Sequence, residues 1–433
     1  MKRYLKYKKT SFINLAEIPS QWEFKKLKYL VLNKLTYGAN ESAEFEVLDD
    51  PRYIRITDFG DNGILRNDTF KSLPNEIAKD FLLKEGDILF ARSGATVGKT
   101  YQFKNYFGLA CYAGYLIKAS PNYNLILSDF LYYFKKSNDY ENWKDSISNK
   151  ATIQNIGADK YCYLEVPLPP LNEQTTIATY LDQKTTQIDK LITNKQKLIE
   201  LLKEERTGII NEAVSGKGKN WELKKLSHGF KRIGSGTTPA SGNEEYYNGT
   251  INWLQTGDLT NGEINLTGKK ITQKAIDDYS PLREYPSGSL VVAMYGATIG
   301  KVGILKIATT TNQACCVLSE PISFDTMFVF YWFIGNKDYV ISRSYGGGQP
   351  NISQENIKSF RLPCPSIKEQ TTVVAYITFE TKRIDTIISK IEKEIDLMQE
   401  YRTALISEVV TGKIDVRNYK EQINEPLQIA AEP

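Results

Sequence analysis

Histidine is nearly missing from this chain: His228 stands alone among 433 residues. One imidazole, in a Lys-Leu-Ser-His-Gly stretch, supports neither a serine-type triad nor a histidine metal site, and it is read as a surface residue. Cysteine is scarce as well. Cys111, Cys162, Cys315, Cys316 and Cys364 are odd in number and show no C-x-x-C spacing. That fits neither a disulfide framework nor a zinc site, and the thiols read as reduced packing residues. Long apolar runs are absent too. Leu290 to Leu305 comes nearest and is interrupted by Gly296, Gly300, Lys301 and Gly303, too short and too broken to span a bilayer. The basic start is followed by polar and acidic residues where an export signal would be apolar, so no membrane and a cytoplasmic location are expected.

Familiar catalytic signatures are also lacking. Gly94 to Thr100, G-A-T-V-G-K-T, approaches a phosphate-binding loop but has Ser93 where the motif needs glycine, and the second copy ends Gly300-Lys301-Val302 without the magnesium-binding hydroxyl. A tight turn after a buried strand, Asp87 to Ala91 and Ser289 to Ala293, is the expectation there. No G-x-G-x-x-G fingerprint and no Asn-Pro-Pro-aromatic run of a base-flipping amino-methyltransferase occurs. Glu23-x-Lys25 and Glu222-x-Lys224 have nuclease-like spacing without a preceding acidic partner, and read as solvated faces. Catalytic and metal residues are therefore expected to be none.

What is present is ordinary globular composition: 41% hydrophobic, 24% charged, 12% aromatic, net charge +4. The length favours two domains. A nucleic-acid surface would need local clustering of Lys and Arg, because the bulk charge is small.

The chain is one unit written twice. Pro167 to Lys217 aligns without a gap on Pro363 to Lys413, offset by 196, with 22 identities in 51 positions. Upstream, Trp22-Glu23 with Lys25-Lys26-Leu27 recurs as Trp221-Glu222 with Lys224-Lys225-Leu226, Asp58 answers Asp258, and Gly94 to Lys99 recurs as Gly296 to Lys301. Between these anchors the halves diverge, as expected of one scaffold carrying two binding specificities.

The near-identical segments have helical period. One seam runs Ile177, Leu181, Ile188, Leu191, Leu198 and Leu202; the other runs Val373, Ile377, Ile384, Ile387, Ile391, Met398 and Leu405. Prolines precede each helix, and Gly216 and Gly412 supply the stops. Each helix needs a partner for its seam, and antiparallel pairing of the two is expected; the alternative is that each folds back on its own domain. Pairing would put the domains at opposite ends of a rod of thirty-odd residues, about 50 Å long, against about 34 Å for a turn of DNA.

The arrangement resembles the specificity subunits of type I restriction-modification systems, over about residues 18 to 417. The paired W-E-x-K-K-L starts, G-D-I-L-F-A-R-S-G-A-T-V-G-K, P-L-P-P-L-N-E-Q and L-P-C-P-S-I-K-E-Q, and V-S-G-K and V-T-G-K-I-D-V-R carry the likeness. The resemblance implies an α+β architecture of two mixed α/β target recognition domains joined by two long antiparallel coiled-coil helices with a pseudo-two-fold repeat. Its expected boundaries are 1–165 and 218–361 for the domains, 166–217 and 362–417 for the helices, and 418–433 for a polar tail. It further implies a non-catalytic subunit that reads an asymmetric bipartite site in double-stranded DNA and binds two methyltransferase subunits, with restriction and translocase subunits joining them. S-adenosylmethionine, ATP and magnesium would then belong to the partners, with no cofactor on this chain. From the residues alone, a free-standing nuclease with an unrecognised motif and a sequence-independent structural adaptor stand as alternatives.

DNA contact calls for Arg, Lys, Asn, Gln and small hydroxyls in loops. In the first domain the candidates are Arg92, Ser93, Lys99, Lys150, Thr152, Gln154 and Asn155. In the second they are Ser235 and Thr237 of the Ser235 to Pro239 loop, Tyr295, Lys301, and Gln349 and Asn351 beside the Gly346 to Gly348 run.

Overall fold

The computed structural model describes residues 2–10, 15–60, 63–93, 96–148, 155–345 and 351–419. The chain divides into two compact units, Met1–Asn194 with Glu394–Pro433, and Lys195–Lys393. Two helices dominate, Leu171–Ser215 and Ile367–Val410, of 45 and 44 residues. They exceed the expected thirty-odd residues, and each rises about 66 Å at 1.5 Å per residue. The first unit holds the start of the first helix and the end of the second; the second unit holds the complementary halves.

Within each unit the two half-helices run antiparallel. In the first, Arg402 meets Asp189 at 2.8 Å, while Trp22 bonds Glu173 near the helix start and also lies beside Gly412 just past the other helix's end. As one residue number rises, its partner's falls. In the second, Gly216 just past the first helix lies beside Pro363 ahead of the second, and farther along the pair Arg206 meets Asp385 at 3.3 Å and Glu205 meets Arg383 at 3.5 Å. Asp189 and Arg402 are Asp385 and Arg206 displaced by the repeat, so each unit closes its own helix pair with the same ion pair.

The seam differs from the expected one in its middle. Ile177, Leu181, Ile188, Leu202, Ile377, Ile384, Ile391 and Leu405 are buried. Leu191, Val373, Ile387 and Met398 are only partly so, and Leu198 is 44% exposed. Ile192, Ile199 and Ile395 fill the line instead. A 3.6-residue helix drifts about 20° per heptad, and the stripe moves one residue onward. Each buried Ile or Leu contributes about 1.5–3 kcal/mol, which gives the pairing its strength.

Both helices begin where proline has ended a strand. The second opens with a capping box, Glu369 N donating to Ser366 Oγ at 3.3 Å and Ser366 N to Glu369 Oε2 at 3.0 Å. Gly216 (φ +67) and Gly412 (φ +76) close the helices in left-handed backbone, where a Cβ would strain.

Each domain is clasped at its root by its first and last strands, Glu23–Lys26 with Glu165–Leu168 and Leu223–Lys225 with Arg361–Pro363, both antiparallel. Above the clasp of the first unit lies an antiparallel sheet ordered Thr36–Tyr37, Leu116–Ala119, Ile88–Ala91, Thr100–Gln102. The second unit has the counterpart Phe230–Ser235, Cys315–Pro321, Leu290–Ala293, Val302–Leu305, extended by Gly262–Ile264 in parallel. A short helix from each domain, Ser128–Phe134 or Thr326–Gly335, leans on the long helix of its unit.

The Glu-Gln motif explains that joint. Gln174 accepts from Leu127 N at 2.8 Å and donates to Leu125 O and Pro169 O at 3.0 and 2.9 Å. Gln370 repeats the pattern with Asp325 N at 2.6 Å and with Ser323 O and Pro365 O, both at 2.9 Å. Both glutamines are fully buried, and a buried amide needs such satisfaction. Tyr133 then donates to Asp182 at 2.5 Å, and Tyr331 bonds Thr378 at 3.1 Å.

Candidate nucleic-acid interface

Val97 to Lys99 in the first copy and Ile299 to Lys301 in the second close a hairpin turn. Gly98 N donates to Ala91 O and Ala91 N to Lys99 O at 2.8 and 2.9 Å; Gly300, Ala293 and Lys301 repeat this at 3.0 and 2.8 Å. Gly98 and Gly300 have φ near +82 and +75, which explains the glycine without invoking a nucleotide. Asp58 and Asp258 likewise make matching caps, accepting from Arg55 N at 2.6 Å and Gln255 N at 2.9 Å. These repeated residues are scaffold.

At the end of the central strand the two halves bring the same pair of loops together. Ser93 bridges to Asn155 and Tyr295 to Asn351. Ile156 N donates to Arg92 O at 2.8 Å, as Ile352 N does to Met294 O at 2.9 Å. Residues more than fifty apart in sequence thus meet at one edge, with different side chains on one backbone frame.

In the first unit Arg92 packs over the Tyr37 ring at 4.8 Å, its Nε shielded and without a hydrogen-bond partner. The ring fixes the guanidinium's place. Asn155 and Lys99 are exposed, and Ser93 is half-buried. Lys150, Thr152 and Gln154 lie outside the described residues. In the second unit Met294 is buried and Tyr295 is 38% exposed. Asn351 exchanges backbone hydrogen bonds with Tyr345 at 2.9 and 3.0 Å, leaving its side chain uncommitted by the bridge. Ser235 Oγ donates to Gln354 at 3.1 Å, and Thr237 O accepts from Trp253 at 3.2 Å. Lys301 is half-buried, and Gln349 lies outside the described residues.

The structure adds neighbours that the sequence did not single out. Tyr37 and Tyr115 flank Arg92, whose N–H donates to Tyr115 O at 3.0 Å, and Tyr115 is 62% exposed. Gln354 and Gln313 join the second cluster, the latter accepting from Thr238 at 2.6 Å. Only an exposed aromatic in a glycine turn, A-G-Y, hinted at Tyr115. The arrangement presents donors and aromatic faces, which suits base edges and phosphates.

Chemistry elsewhere is muted. Burial pushes the Cys111 and Cys316 thiols up to about 12, so they stay protonated, and His228 is exposed. Among the described residues, no group of three or more His, Cys, Asp or Glu could hold a metal ion, and no helix is long and apolar enough to cross a membrane.

The family model for the type I restriction modification DNA specificity domain matches residues 19–202 and 218–397, once on each half. The chain belongs to this family. Among its relatives, the MjaVIII specificity subunit of Methanocaldococcus jannaschii is 24% identical over 95% of this chain and 98% of its own length. The EcoKI specificity subunit of Escherichia coli is 21% identical over 93% and 91%. A chain solved in work on complex assembly and conformational transition of the type I R-M system covers 92% of this one and 99% of itself, with TM-score 0.75 and 14% identity. The HsdS subunit of Thermoanaerobacter tengcongensis covers 92% and 98%, with TM-score 0.58 and 14% identity. These two share the fold of the specificity family.

Proposed function

We propose that this chain is the non-catalytic specificity subunit of a type I restriction-modification enzyme, each unit reading one half of an asymmetric bipartite DNA site. The paired loop edges carry the reading: Arg92, Ser93 and Asn155 stand in one unit where Met294, Tyr295 and Asn351 stand in the other, on the same hydrogen-bonded frame. Equal frames with unequal donors read unequal sequences. Lys150, Thr152, Gln154 and Gln349 are kept as candidates for DNA contact on their residue types alone. The helix pair would hold two methyltransferase subunits, with restriction and translocase subunits joining them; S-adenosylmethionine, ATP and magnesium belong to those partners, and the assembly works in the cytoplasm.

The test is to exchange residues 22–165 for the corresponding domain of a relative and map methylated adenines in cells supplying the methyltransferase. One half of the methylated sequence should change and the other stay. A change in both halves, or in neither, would falsify the division of labour.

A further inference from the structure

In the first unit the chain's own N-terminal segment seals one side of the helix pair. Tyr4 donates its hydroxyl to Glu173 Oε1, and Trp22 Nε1 donates to the same oxygen at 3.0 Å. The rings of Tyr4 and Trp22 meet edge to face at 5.8 Å. Tyr7 donates to Gly412 O at 3.0 Å, and Tyr419 covers Tyr180 at 4.8 Å. Trp22 and Ile177 are left with no exposed surface and Tyr180 with 9%.

The surface beneath that seal recurs in the second unit as Trp221, Glu369, Val373, Tyr376 and Gly216. Here Gly216 to Trp221 runs directly from the helix end into the next domain, and among the described residues the face stays open. Tyr376 is 52% exposed and Phe379, one turn on, is 67% exposed. Trp221, Val373, Tyr376, Ile209, Ala213 and Gly216 line a cavity of about 640 Å³. Glu369 lines it too, held below the usual carboxylate range chiefly by its hydrogen bonds from Ser366, which occupy Oε2. Glu212, Lys217, Lys219 and Thr372 complete the lining, so apolar and aromatic surface is bordered by charge. Indole beside a carboxylate is complementary to a phenol: ring on the tryptophan, hydroxyl on the carboxylate.

We propose that this open face of the second unit is a docking groove for an extended segment of a partner protein bearing a tyrosine, whose ring meets Trp221 edge to face and whose hydroxyl reaches Glu369. The chain's own Tyr4 on Trp22 and Glu173 is the template for the occupant. The proposal depends on the specificity-subunit reading only in requiring a partner chain.

A labelled peptide of residues 1–10, Met-Lys-Arg-Tyr-Leu-Lys-Tyr-Lys-Lys-Thr, titrated into the full chain serves as the probe. Saturable binding is expected, with at least tenfold weaker affinity for the Tyr4→Phe peptide and for the Trp221→Ala and Glu369→Gln proteins, and little change in the Glu173→Gln protein. A photoreactive group at peptide position 4 should crosslink within 209–221 or 369–379. Absence of saturable binding, or equal binding by Trp221→Ala and Glu369→Gln proteins that melt like the parent, overturns the groove. Concentration-dependent dimers that disappear on Glu369→Gln substitution would make a second copy the occupant and overturn the partner assignment. Sequence-specific DNA binding by the parent is measured alongside; its failure beside intact peptide binding would count against the DNA reading and not against the groove.

Discussion

One position shows how far two copies of a scaffold can part. Two residues after the tyrosine that each domain leans on its long helix, the first unit has Lys135 and the second Phe333. Phe333 is wholly buried, against Trp332 and Phe360 with ring centroids at 5.3 and 6.2 Å. Lys135 is 2% exposed, its ammonium 3.9 Å from the centroids of both Phe90 and Tyr140, with no hydrogen bond to its Nζ. One fold accommodates a phenyl ring or an amine in an aromatic cage at the same depth. The frame is set by the helices and the glutamine joint, while the filling of each domain varies.

The largest effect that would probe this comparison is Phe333→Lys, which asks the second core to hold what the first holds. Without a cage built for it the amine is desolvated and leaves a void, and a loss of about 4 kcal/mol is expected in urea denaturation. A loss under about 1 kcal/mol would show the two cores to be interchangeable.

Next come Gln174→Ala and Gln370→Ala. Each strands a backbone N–H and two carbonyls, at about 2–3 kcal/mol. The two losses should agree within about 0.5 kcal/mol if the joints are equivalent, and unequal losses break the equivalence.

A smaller effect is expected from Lys135→Met, which removes an unpaired buried amine and should stabilise by about 1 kcal/mol near neutral pH. Burial sets the Lys135 amine well below the usual lysine range. Between that lowered value and the unfolded one, the unfolded chain binds more protons, so the parent gains stability as pH rises. The advantage of Lys135→Met should therefore shrink as pH is raised from 7 towards 10, and a gap that widens would reverse the assignment. Burial also draws Lys136 down to about 8, so Lys136→Met belongs in the series.

The smallest effects belong to the helix ion pairs. Asp189→Asn and Asp385→Asn should each cost under about 1 kcal/mol, because both carboxylates remain partly exposed. They should lose most of that difference in high salt.

The repeat and the long antiparallel helices were legible because a 3.6-residue period and a constant offset survive in one sequence. Leu198 was misplaced because heptad counting carries no memory of helical drift. The joint was visible only as a repeated Glu-Gln-Thr-Thr, since nothing in those letters says that the glutamine serves three backbone groups. Nothing in the stretch F-K-K-S-N marks Lys135 as buried, and only packing reveals the cage. Arg92 and Asn155 were both named, but their meeting at one edge, and Tyr37 beneath the guanidinium, depend on contacts far apart in sequence.

The glutamine joint has a consequence for inheritance. Gln174 and Gln370 grip their domains by main-chain atoms alone, Leu125 O and Leu127 N in one case and Ser323 O and Asp325 N in the other. A socket that recognises only backbone places no demand on the side chains of the plug. A recombined gene could seat a foreign domain on these helices at its first attempt, and new specificities would arise by exchange of whole domains as well as by point change.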